Sequence, residues 1–182
     1  MIKDSRYDNY TQLLTKVDEM FAGVSRRHQG QFSCRSGCHG CCQAGLTFTN
    51  VEASSIREWL AANPDVAAKI SDAAQMFGDN DFCAMLDREG RCSIYEVRPM
   101  ICRSHGMPVS WEADDALQSG DLQGVESRDV CPLNFDGVDL SALPKTDVLS
   151  LDKLNIVLSL INRKFDEEKS GTRFSVEELI PR

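Results

Sequence analysis

Apolar residues recur at intervals of three and four near both ends of the chain and lose that rhythm in the middle. Tyr10, Leu13, Val17, Met20 and Val24, widened by Leu14 and Phe21, predict an amphipathic helix over residues 4–29. Arg26, Arg27 and His28 fall in its last turn, where positive charge suits the helix dipole. Gly30 ends it, so His28 needs no ligand role. Leu151, Leu154, Leu158, Ile161 and Phe165, with Val157 beside them, repeat the pattern in a helical region expected from Pro144 onward. The two helices are expected to pack together. Between them, Leu46-Thr47-Phe48 alternates as a short extended stretch. Thr49 and Glu52 then have the spacing of a capping box and open a helix through Leu60. Asn63-Pro64 breaks that helix, and residues 65–77 restart it with Pro64 near the first turn. Residues 78–81 read as a turn, residues 110–128 as a long polar surface loop, and Ser175 with Glu178 as the cap of a short terminal helix.

The part without helical rhythm holds the cysteines. Residues 34–42 read Cys-Arg-Ser-Gly-Cys-His-Gly-Cys-Cys, with spacers too polar for a core stretch. Cys34 and Cys38 are separated by three residues, and Cys38 and Cys41 by two, which lets a turn of backbone aim several sulphurs at one point. Gly37 and Gly40 each precede a cysteine, where a permissive backbone allows the chain to curl round an ion. Further along, Glu89-Gly90 looks like the turn of a small hairpin carrying Cys83 and Cys92 on its arms, and Pro99 suits the first turn of a helix that presents Cys102. Cys131 brings a last thiol back towards the site.

Composition narrows the chemistry. At 182 residues with 42% hydrophobic and 26% charged content, the chain reads as one soluble domain, residues 1–182, with a metal-binding core at about 32–132. Residues 1–10 carry Lys3, Asp4, Arg6 and Asp8 and no apolar run, so no secretory signal is expected, and no stretch is long enough to span a membrane. A cytoplasmic location follows, where thiols stay reduced and eight cysteines point to metal or redox chemistry over disulfides. A net charge of −8 argues against nucleic acid as a partner. Locally, Arg35, Arg91 and Arg103 each neighbour a cysteine and Arg98 is close by, so guanidinium donors are candidates to offset the −2 charge of a tetrathiolate site, against the alternative that they are simply solvated.

Adjacent side chains diverge, so Cys41 and Cys42 are expected to play different parts. The economical arrangement is one tetrathiolate site from Cys38, Cys41 or Cys42, Cys92 and Cys102. Cys34, Cys83 and Cys131 would then form a second site or a supporting shell. His39 and His105 are candidate substitutes for a sulphur, although a histidine beside a cysteine is more often a supporting donor. The Cys34-x3-Cys38-x2-Cys41 spacing coincides with that of radical S-adenosylmethionine enzymes, but Gly40 stands where those carry an aromatic residue and the alternating strands of a barrel are absent. Zinc and an iron–sulphur cluster both accept thiolates, and charge does not separate them.

The cysteine cluster, followed by Thr49-x2-Glu52-Ala53 and by Leu86-x3-Gly90-x-Cys92-Ser93-Ile94-Tyr95-Glu96-x-Arg98-Pro99-x2-Cys102-Arg103, resembles the YkgJ-like cysteine cluster family, described as a zinc- or iron-chelating domain. The likeness covers residues 32–104, with Cys131-Pro132 an extension, and it implies a bound metal. The family's first spacer is two residues where this chain has three. Flagellin lysine methylases are similar in carrying such a domain, which raises a methyltransferase-like enzyme as an alternative. A zinc-stapled interaction module is another. The expected fold is mainly α, a single domain whose N- and C-terminal amphipathic helices pack around a cysteine-rich segment with a small hairpin.

Overall fold

The computed structural model describes residues 4–77, 81–112 and 126–180, with the side chains of 71–77 left out of the description. Residues 78–80 of the expected turn and 113–125 of the expected polar loop lie outside it. Helix α1 runs Asp8–Arg27 after a single 3-10 turn, Ser5–Tyr7, whose start is capped by the Asp4 carboxylate accepting from the Arg6 N–H. Its end follows the expected signals: the His28 N–H bonds the Val24 carbonyl, and Gly30 takes a φ of 84° that turns the chain away. Helix α2 spans Asn50–Ala62 and α3 spans Pro64–Phe77. The five-residue α4 spans Met100–Ser104, and α5 spans Leu151–Phe165.

Two apolar clusters hold these helices. The first joins Tyr10, Val17 and Val24 of α1 to Leu154 and Leu158 of α5, so the predicted pairing of the terminal helices is observed, with Val51, Met100, Met107 and Phe135 packed among them. The second gathers Phe48, the α2 residues Ala53, Ile56 and Leu60, Ile70 of α3, and Met85, Ile94 and Val176. Helix α2 therefore faces both clusters. Its N-terminus is tied down by the capping box of Thr49 and Glu52, and Asn162 of α5 accepts the Val51 N–H across 2.9 Å.

Strands are few and short. β1 (Thr47–Phe48) pairs antiparallel with β5 (Phe174–Ser175), and β2 (Val109–Glu112) lies between antiparallel β3 (Glu126–Asp129) and parallel β4 (Leu149–Ser150). Three expectations change here. The ends of the stretch read as a polar loop are β2 and β3, because Val109↔Asp129 through Glu112↔Glu126 form a ladder whose side chains are too polar to show an alternating pattern. The region after Pro144 begins with a 3-10 turn, Lys145–Asp147, and β4 before α5 starts. Ser175 and Glu178 do bond, N–H to carboxylate at 2.7 Å, but they sit at the end of β5 and in a 3-10 turn, Glu177–Leu179, in place of a helix.

Candidate metal centre

Between α1 and β1 the cysteine loop makes two consecutive tight turns. The Cys38 N–H bonds the Arg35 carbonyl at 3.0 Å and the Cys42 N–H bonds the His39 carbonyl at 2.8 Å, with Gly37 at a φ of 82°. The loop's end then runs antiparallel to the next cysteine segment. Cys83 donates its N–H to the Cys42 carbonyl (2.9 Å), Ala44 donates to the Asp81 carbonyl (3.1 Å), and Gln43 bridges Phe82. The proposed hairpin is reduced to one bridge, Leu86↔Cys92, closed by Asp87, whose carboxylate accepts the N–H groups of Glu89 and Arg91. Cys83 therefore faces the first motif, and Cys92 pairs with Leu86. Cys102 arrives on α4.

These segments bring the thiols into one electrostatic neighbourhood. Burial pushes the Cys102 thiol far up, and the sulphurs of Cys83, Cys92, Cys42 and Cys41 each add to that shift. Cys42 is pushed up to about 12 by burial first and then by Cys41, Cys92 and Cys83. Cys41 is raised mainly by burial, with Cys131 and Cys38 contributing. Cys92 is raised by burial and by Cys83, while Arg98 works in the opposite direction. Cys83 thus acts on Cys42, Cys92 and Cys102. Cys34 stands apart: its sulphur lies 3.3 Å from the Asn134 side-chain nitrogen and beside Gly106. Asn134 is 2% exposed, accepts the Ser33 N–H and donates to the Gly106 carbonyl, so it fixes the start of the cysteine loop to the segment after α4. Nothing in the sequence marked it beyond its place three residues after Cys131.

Three of the four arginines near the cysteines have other partners. Arg91 pairs with Asp87 and Glu89. Arg103 pairs with Asp18, and Arg98 lies over the Tyr95 ring at 4.0 Å. They are neither simply solvated nor, in these pairs, aimed at sulphur. His39 turns Nδ1 to the Gly37 carbonyl (2.9 Å), and His105 turns Nδ1 to that of Ile101 (2.8 Å), so each has one ring nitrogen occupied by backbone.

The donor set fits a soft metal. Thiols that raise one another's pKa form a site whose anionic state needs a cation, and sulphur donors suit zinc and iron–sulphur clusters. Among the described residues, no three His, Cys, Asp or Glu side chains already stand around one point at ligand spacing. The thiols share a neighbourhood without a finished ligand set.

A family model described as "CxxCxxCC: Putative zinc- or iron-chelating domain" matches residues 33–131, more than half of the chain. The chain belongs to this family. The region matched by the zinc- or iron-chelating family runs from Ser33 to Cys131 and so contains all eight cysteines, together with α2, α3 and α4. Helices α1 and α5 lie outside it. No curated protein and no solved structure matches the chain. Among the described residues, no helix is long and apolar enough to cross a membrane.

Proposed function

We propose that the chain binds zinc or an iron–sulphur cluster through thiolates drawn from Cys38, Cys41, Cys42, Cys83, Cys92, Cys102 and Cys131, with Cys34 at the rim, and that it serves as a redox or metal-handling accessory. The observation that carries this reading is the match of residues 33–131 to a zinc- or iron-chelating family, a region that holds all eight cysteines, together with the backbone pairing of the loop's Cys42 with Cys83. A purely structural zinc staple is the alternative, and it would be four-coordinate with no open position and redox-silent. When bound, the metal would supply either a redox couple or an exchangeable ion. The protein's part is to hold the thiols together and limit their contact with water.

Anaerobic purification followed by total metal analysis and a visible spectrum tests this. Broad absorbance near about 400 nm with bound iron and sulphide assigns a cluster, and a colourless chain with stoichiometric zinc assigns the ion. A chain carrying neither metal, and taking up neither on reconstitution, overturns the reading.

A further inference from the structure

Glu52 is 3% exposed and, among the described residues, takes part in no ion pair; its carboxyl accepts from the neutral groups of Thr49 and Met100. One oxygen, Oε2, accepts the N–H and the hydroxyl of Thr49 at 2.8 and 2.7 Å, which completes the start of α2. The other, Oε1, accepts the N–H of Met100 at 2.9 Å, 48 residues further along the chain. That donor opens α4, the helix that carries Cys102. Pro99, immediately before it, has no N–H to offer, so Met100 provides the first backbone donor of the helix. Five residues cannot hold a helix by themselves, so the placement of α4 depends on its tertiary contacts. At the other end, Arg103 reaches Asp18 of α1 and the Glu96 carbonyl. Cys102 lies between these two anchors. A carboxylate buried against neutral donors is costly, and a helix cap alone requires only one of its oxygens.

We infer that Glu52 is a positioning residue of the metal centre: through the Met100 N–H it fixes α4, and with it Cys102, relative to the cysteine loop. This rests on the reading that Cys102 is a metal ligand. Glu52→Gln keeps the shape, but its amide nitrogen cannot accept a hydrogen bond, so only one of the two helix starts can still be satisfied. Thr49→Val removes only the hydroxyl and leaves the Met100 bond in place.

The test is anaerobic titration of the metal-free chain with Co²⁺, read by thiolate-to-cobalt absorption. Glu52→Gln is expected to weaken binding by about 10-fold or more, the usual cost of losing a group that orients a ligand. Thr49→Val should bind within about threefold of the parent. Added to Cys102→Ser, Glu52→Gln should cost nothing further, because both act through one sulphur. The unaltered chain gives a readout that needs no variant: the Met100 amide should exchange with solvent at least about tenfold more slowly with metal bound, since metal binding and the Glu52 contact stabilise the same placement of α4. Unchanged affinity in Glu52→Gln, equal weakening in Thr49→Val, additive loss with Cys102→Ser, or a Met100 amide indifferent to metal would each overturn the inference while leaving the metal assignment standing. A parent chain that takes up no Co²⁺, zinc or iron removes both.

Discussion

Gly90 shows how single residues set the metal loop. Its φ is 71°, and a Cβ built there would lie 2.5 Å from Nδ1 of His39, so any side chain meets both backbone strain and a collision. The ring of His39 also packs edge-on against Phe82, so the collision would be passed on to the segment that carries Cys83. Gly90→Ala is expected to destabilise the fold by about 2 kcal/mol, read as a lowered melting temperature. Removing the ring as well, in Gly90→Ala with His39→Ala, should leave only the strain of about 1 kcal/mol; equal loss in both variants would mean the ring is not the obstacle. Asp147, in the 3-10 turn that meets the C-terminal end of α1, is a different case. Its carboxyl is held below the usual carboxylate range by hydrogen bonds from Arg27, with burial opposing and His28 adding to the effect. A lowered folded pKa means that its contribution is complete above the unfolded value of about 3.9 and is lost as pH falls through the folded value. Asp147→Asn should therefore be less stable than the parent at pH 7, by about 1 kcal/mol with Arg27 half exposed, and the gap should close as the pH drops below about 4. A gap that does not begin to narrow as the pH falls below about 4 would locate the effect elsewhere.

At the scale of elements, Asn162 ties α5 to the start of α2 and, through its amide nitrogen, to the Ser170 carbonyl. Asn162→Ala strands one buried and one part-buried backbone group and should cost about 2 kcal/mol in chemical denaturation, with the α2 N-terminus the first segment to lose amide protection. A loss confined to α5 would contradict that coupling. The elements that periodicity announced were those with a wide apolar stripe: α1 and α5 bury or half-bury the residues their spacing selected, except Val157, which is exposed, and Thr49 with Glu52 opens α2 where the capping signature lies. β2 and β3 were not legible. Ser110, Arg128 and Glu126 carry no alternation, and the ladder they join is recruited by packing against β4 and α5. The candidate site divides in the same way. The cysteine spacing pointed to a metal loop, and its meeting with Cys92 and Cys102 follows the two motifs of the family. The partnership of Glu52 with Met100 and of Asn134 with Cys34 was invisible, because a hydrogen bond across 48 or 100 residues leaves no trace in local pattern.

Across the whole molecule, the cysteine-bearing segments touch both apolar clusters. Cys83 and Cys92 pack against the second, and α4 enters the first through Met100. A metal held by the loop and by α4 would cross-link Cys38 to Cys102, joining the two clusters by a bond that the polypeptide reaches only through α2, α3 and the 83–92 turn. A metal held by thiols from separate segments adds its binding free energy to that of folding. Removing either thiol then breaks the same link. Cys38→Ser and Cys102→Ser should each lower metal content and melting temperature to a similar degree, and the double variant should be little worse than either. Cys83→Ser, which as an ordinary buried thiol would be mild, should instead resemble Cys92→Ser, since both sulphurs act on Cys102. The same variants compared without metal should melt within about 1 kcal/mol of the metal-free parent, because serine replaces sulphur with little change in volume. Additive losses for Cys38 and Cys102 would show two independent sites, and full metal retention in Cys102→Ser would confine the ligands to residues 34–42.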